Sequence, residues 1–110
     1  MEVKTNKVGD IDVVSFTGRL DAYTSNDAEK EINKILDGGS LKLLVNFEAV
    51  DYISSSGLRV MLASLKRLKK INGQIKLACL KSSIKEVFEI SGFNQLFEFY
   101  KTEEEALGGF

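Results

Sequence analysis

Polar and apolar residues follow two periods along this chain, and the alternation between them sets out its elements. Residues 3–8 and 11–16 show partial two-residue alternation and are separated by Gly9-Asp10, a pair suited to a tight turn, so they predict two antiparallel strands. A loop over 17–23 follows, with Gly18 at its bend and Asp21 at its far side. Ala28, Ile32 and Ile35/Leu36 then recur at helical spacing opposite Glu29, Lys30, Asn33 and Lys34. Thr24-x-x-Asp27 reads as a near-match to a capping box, and Gly38-Gly39 supplies the left-handed stop. The nearly continuous apolar run over 41–47 marks a strand covered on both faces. A second helical pattern starts at about Gly57, with Leu58, Met61/Leu62, Leu65, Leu68 and Ile71 on one face, and ends at Asn72-Gly73.

Ile75, Leu77 and Cys79 against Lys76 and Ala78 predict a strand over 74–80. Ser83-x-x-Glu86 opens a helix that closes at Gly92, a short strand covers 97–100, and Thr102-x-x-Glu105 starts a last helix that frays beyond Leu107. The order ββαβαβαβα describes an α/β layer fold, a mixed sheet of about five strands with about four helices. Right-handed crossovers make the third, fourth and fifth strands largely parallel.

One stretch within this pattern carries candidate chemistry. Between the apolar run and the second long helix lies Asp51-Tyr52-Ile53-Ser54-Ser55-Ser56-Gly57-Leu58-Arg59-Val60, with three hydroxyls where a strand hands over to a helix. The first turn of a helix has unpaired N–H groups and partial positive charge, so a serine there can cap the helix, contact an anion or carry a phosphate. Capping needs only one of the three.

Composition narrows the function classes. A chain of 110 residues is expected to form a single domain over 1–110, large enough to fold without disulfides or metal. A net charge of -1 argues against binding nucleic acid or a membrane surface through bulk charge. The basic run Lys66-Arg67-x-Lys69-Lys70 is read as complementing a helix C-terminus rather than as a nucleic-acid patch. With one cysteine, Cys79, and no signal peptide at Met1-Glu2-Val3-Lys4, the expected compartment is the cytoplasm. No apolar run reaches the ~18 residues of a membrane span. The absence of His excludes Ser-His-Asp and Cys-His catalysis and His-containing zinc sites, and no phosphate-binding Gly-rich loop of the usual patterns is present. No catalytic residue, metal site or cofactor is therefore expected.

The serine stretch, the earlier Gly18-Arg19-Leu20-Asp21 and the order of elements resemble, over essentially the whole chain, the STAS domain of bacterial anti-sigma factor antagonists. The resemblance implies a STAS-type fold and a small cytoplasmic regulator, not an enzyme. Such a regulator binds an anti-sigma factor that is also an ATP-dependent serine kinase, and so releases a sigma factor. Phosphorylation by that kinase switches the antagonist off, and a serine phosphatase restores it. Carried over by position, the phosphoacceptor is Ser55, two residues before Gly57. Ser56, directly before the glycine, is the alternative acceptor and the expected helix cap. Ser54 stands where the family commonly has Asp. Asp21 matches the family's loop Asp beside the phosphosite, although a turn Asp bonding its own backbone is an equally good reading of it. The expected partner surface comprises Asp21, Tyr23, Ser54, Ser56, Gly57, Leu58 and Arg59. Two alternatives keep the fold: a constitutive interaction subunit of a larger signalling or transport assembly, and a weak nucleotide-binding protein in which Asp21 and Asp51 hold Mg2+.

Overall fold

A computed structural model describes residues 1–110. Strands β1 (Glu2–Val8) and β2 (Ile11–Leu20) form the expected hairpin and are followed by α1 (Ser25–Asp37), β3 (Lys42–Ile53), α2 (Ser55–Lys70) and β4 (Gln74–Ala78). Helix α3 (Ser82–Ile90), one 3-10 turn (Phe93–Gln95), β5 (Glu98–Tyr100) and α4 (Glu103–Gly108) complete the chain. The sheet order is β1-β2-β3-β4-β5, with β1 antiparallel to β2 and every other pair parallel. This is the expected ββαβαβαβα mixed sheet.

Two cores flank the sheet. Val14 and Phe16 of β2, Leu43, Val45 and Phe47 of β3, and Ile75 and Leu77 of β4 point to one face. There they meet Ala28, Ile32 and Leu36 of α1, Met61, Leu65 and Leu68 of α2, and Ile84 and Phe88 of α3. On the other face Ile11, Val13, Leu44 and Ala78 pack only against Ala106 of α4 and its flanks. Phe88 joins α3 to the sheet through edge-on contacts with Phe47, Phe97 and Phe99 at centroid distances of 6.1, 5.7 and 5.5 Å. Arg67 ties α2 to α1 through Asn33 (3.1 Å) and an ion pair with Asp37, so part of the basic run serves helix packing.

Several boundaries move for physical reasons. The expected loop over 17–23 begins as strand. At two register shifts, between Ser15 and Thr17 and between Gly18 and Arg19, β3 sets one extra residue against β2, and β2 continues through Gly18, at φ 100° and paired with Val50, to Leu20. β3 extends six residues past Phe47 to Ile53; its polar positions Glu48, Asp51 and Tyr52 lie exposed beside the small Ala49, which breaks the apolar signal. β4 stops at Ala78 instead of residue 80 because Cys79 turns into the left-handed region at φ 64°. The capping box foreseen at Ser83 is replaced by a start at Ser82 with Lys81 as N-cap and no side-chain cap bond. Thr102 does cap α4, accepting from the Glu105 N–H at 3.1 Å.

Candidate functional site

Two chain crossings meet beyond the carboxyl ends of β2 and β3. Ser54 is the N-cap of α2: its Oγ accepts from the Gly57 N–H at 3.4 Å, while its own N–H donates to the Leu20 carbonyl at 2.8 Å. The cap expected of Ser56 is thus made by Ser54, because α2 starts at Ser55, two residues before Gly57. A serine hydroxyl thus supplies the side-chain cap of α2.

Gly57 permits the close approach of helix to strand. A Cβ built on it would lie 2.7 Å from Ile53 Cγ1 and 2.9 Å from the Leu20 carbonyl oxygen. Gly57 and Leu58 are buried, Leu58 within the main core, and neither presents a side chain to solvent. The three serines are sorted by the same geometry. Ser54 is half-buried and engaged as cap, and Ser56 is half-buried facing α1. Ser55 is exposed, and its hydroxyl makes no side-chain hydrogen bond within the chain.

Asp21 organises the opposing crossing. Its Oδ1 accepts from the N–H groups of Tyr23 (3.0 Å) and Thr24 (3.2 Å), and Arg19 Nε donates to Oδ2 at 3.3 Å. Thr24 stands at the N-cap position of α1 without making the expected cap bond; its Oγ1 instead donates to the Arg19 carbonyl at 2.6 Å and accepts from the Asp21 N–H at 3.0 Å. Partial burial pushes the Asp21 carboxyl up, but the two backbone N–H donors and Arg19 outweigh it and hold the group below the usual aspartate value. Asp21 thus fills the turn role foreseen for it from its residue type.

Arg19 was not singled out from the sequence. The β2–β3 register sets it beside Tyr52, and its guanidinium lies 4.1 Å from the Tyr52 ring centroid. No local signal links residues 33 positions apart; only the strand pairing does. Tyr23, 91% exposed, stands at the tip of the same loop. Ser56 and the exposed Arg59 face Ala22, Ser25, Asn26 and Glu29 across a shallow groove between α2 and α1. Asp51 is exposed on β3 and makes no ion pair. No helix is long and apolar enough to cross a membrane.

Residues 2–106 match the family model described as STAS domain. The chain is 32% identical over 110 residues to BtrV of Bordetella bronchiseptica, named as an anti-sigma factor antagonist, covering 100% of this chain and 95% of that protein. It is 30% identical over 83 residues to the anti-sigma-B factor antagonist of Staphylococcus aureus, covering 76% of this chain and 77% of that protein. The solved structure of the anti-sigma factor antagonist SpoIIAA in its unphosphorylated form matches with a TM-score of 0.84 at 24% identity, over 96% of this chain and 93% of that one. The phosphorylated form of the Bacillus cell fate determinant SpoIIAA gives 0.76 at 25% identity over 97% of each chain. Fold, strand-to-helix serine turn and sequence likeness thus converge: the chain belongs to the STAS domain family, among the bacterial anti-sigma factor antagonists.

Proposed function

We propose that this chain, unmodified, binds an anti-sigma factor that is also a serine kinase, so that a sigma factor is released, and that phosphorylation of Ser55 ends the binding. The γ-phosphoryl group passes from ATP to Ser55 Oγ, which gives up its proton as ADP leaves, and a serine phosphatase later hydrolyses the ester with water, returning the hydroxyl and releasing inorganic phosphate. The partner surface consists of Ser54–Ser56, Asp21, Tyr23 and Arg59. The observation that carries this reading is the sorting of the three serines: Ser55 alone is exposed and uncommitted, at the first position of α2. The names of the relatives support the partner class, and the two solved forms of SpoIIAA support a switch by phosphate on the same fold.

Electrostatics supply the switching energy. A phosphate adds about -1.5 to -2 charges at a helix N-terminus, which the folded chain tolerates. A partner packed over the turn would enclose that charge near Asp21 and Asp51. An unpaired buried charge costs several kcal/mol, and each ~1.4 kcal/mol is tenfold, so affinity falls about a hundredfold or more.

The test is peptide mass spectrometry after incubation with ATP, Mg2+ and a kinase-competent lysate of the host, run beside Ser55→Ala and Ser56→Ala. One phosphate that maps to Ser55, vanishes only in Ser55→Ala and abolishes capture of the anti-sigma factor supports the proposal. A phosphate confined to Ser56, or none on Ser54, Ser55 or Ser56, refutes it, and the latter result directs attention to a constitutive complex.

A further inference from the structure

The chain has three arginines, at positions 19, 59 and 67. Arg19 is committed to Asp21 and the Tyr52 ring, and Arg67 to Asp37 and Asn33. Arg59 is exposed and makes neither an ion pair nor a side-chain hydrogen bond. It stands four residues after Ser55 on α2. Residues four apart on a helix lie on one face with Cβ atoms about 5–6 Å apart, and an anion N-terminal to a cation is the favoured orientation. A guanidinium is also the side chain best matched to phosphate, which it can hold through two parallel N–H donors.

We infer that Arg59 is the internal acceptor of the phosphate on Ser55, a positioning residue that the modification draws out of the groove between α1 and α2. This deepens the phosphorylation reading given above and rests on it. In the unmodified chain Arg59 faces that groove together with Ser56 and Glu29, and it supplies positive charge there. Once Ser55 carries a dianion, the side chain swings to it. The other charged groups around the turn cannot serve in its place: Asp21, Asp51 and Glu29 are anionic, and Arg19 is already held between Asp21 and Tyr52. Phosphorylation therefore acts on the docking surface twice, adding negative charge at the turn and withdrawing a cation from the groove. The device is written into α2 itself, because both partners lie within its first five residues and need no movement of the sheet.

The test uses the full chain with phosphoserine encoded genetically at position 55, so it reads the pair whether or not a kinase modifies that residue in the cell. Failure of the kinase reading shows in the mass spectrometry above; failure of the pair shows only here. The second ionisation of the phosphate, near pH 6 in free phosphoserine, is followed by 31P NMR in the parent and in Arg59→Gln, Arg59→Lys and Lys66→Gln, each checked for folding by circular dichroism. A neighbouring cation favours the dianion, so the parent midpoint lies about half a pH unit below that of Arg59→Gln. Arg59→Lys keeps the charge and recovers at least half of the lowering. Lys66→Gln removes a charge eleven residues from Ser55, about 16 Å along the helix, and leaves the midpoint at the parent value. Identical titration of the parent and Arg59→Gln overturns the inference, as does an equal shift in Lys66→Gln.

Discussion

Replacing Gly57 by alanine sets two effects of opposite sign against each other at the start of α2. Alanine in place of glycine within a helix gains about 1 kcal/mol in propensity. Against this, the new methyl would meet Ile53 Cγ1 at 2.7 Å, the Leu20 carbonyl oxygen at 2.9 Å and Leu20 Cβ at 3.1 Å. None of these can yield cheaply. Leu20 and Ile53 are 0% and 3% exposed in the main core, and the Leu20 carbonyl is the acceptor for the Ser54 N–H. Forcing a methyl into such a contact costs about 1–3 kcal/mol, and if the helix retreats to relieve it, the Ser54–Leu20 hydrogen bond adds a further ~1 kcal/mol. With the Ser54–Leu20 bond lost as well, the steric side wins, for a net loss of about 1–3 kcal/mol. In urea denaturation, where small proteins have slopes of about 1–3 kcal/mol per molar, the midpoint falls by about 1 M. Gly108→Ala is the internal control. Gly108 is also helical, at the end of α4, but nothing lies within 4 Å of its built Cβ, so that variant is neutral or gains up to ~1 kcal/mol. A Gly57→Ala midpoint at or above the parent value would refute the close-approach argument.

Other substitutions probe the rest of the frame. Phe88→Ala removes the ring on which Phe47, Phe97 and Phe99 converge and costs about 3–5 kcal/mol in chemical denaturation; a loss below ~1 kcal/mol would mean that the aromatic cluster does not hold α3 to the sheet. Lys76 is buried with its Nζ 2.6 Å from Glu98 Oε2, so Glu98→Ala, which strands the ammonium, destabilises by about 1–3 kcal/mol, whereas Lys76→Met costs less; the reverse order of urea midpoints would contradict this. Burial pushes the Lys76 ammonium down, but Glu98 and then Tyr100 more than offset it and the net displacement is upward, so the stabilisation from this group is complete below pH 10.5 and fades as pH rises through the higher folded value. For Asp21 the displacement is downward, so its stabilisation of the turn is present above pH 3.8 and is lost as pH falls through the folded value. NMR titration of its carboxyl carbon should show a midpoint below 3.8, and one above would contradict the hydrogen-bond pattern.

Local physics accounts for the elements that can be read from the chain. The hairpin at Gly9-Asp10, the four helices with their apolar stripes, the parallel sheet they imply, and the strand-to-helix turn rich in serine all follow from periodicity and turn chemistry within short windows. The tertiary structure decided everything that depends on a second segment. Ser54, not Ser56, caps α2 because the Leu20 carbonyl draws the chain in at Ser54 and the helix starts one residue later. Leu58 reads equally well as core or contact until α2 is laid on the sheet, and then it is core. The last residues of β2 and β3 looked like loop because the far face of the sheet there is uncovered: α4 packs over Ile11, Val13, Leu44 and Ala78 and leaves Thr17, Glu48 and Ala49 to solvent. Arg19 acquired its stacking on Tyr52 from strand register, a long-range property with no trace in either residue's neighbours. Arg59 is a different case: its spacing from Ser55 was legible in the chain, but only the fold showed that the other two arginines were already taken.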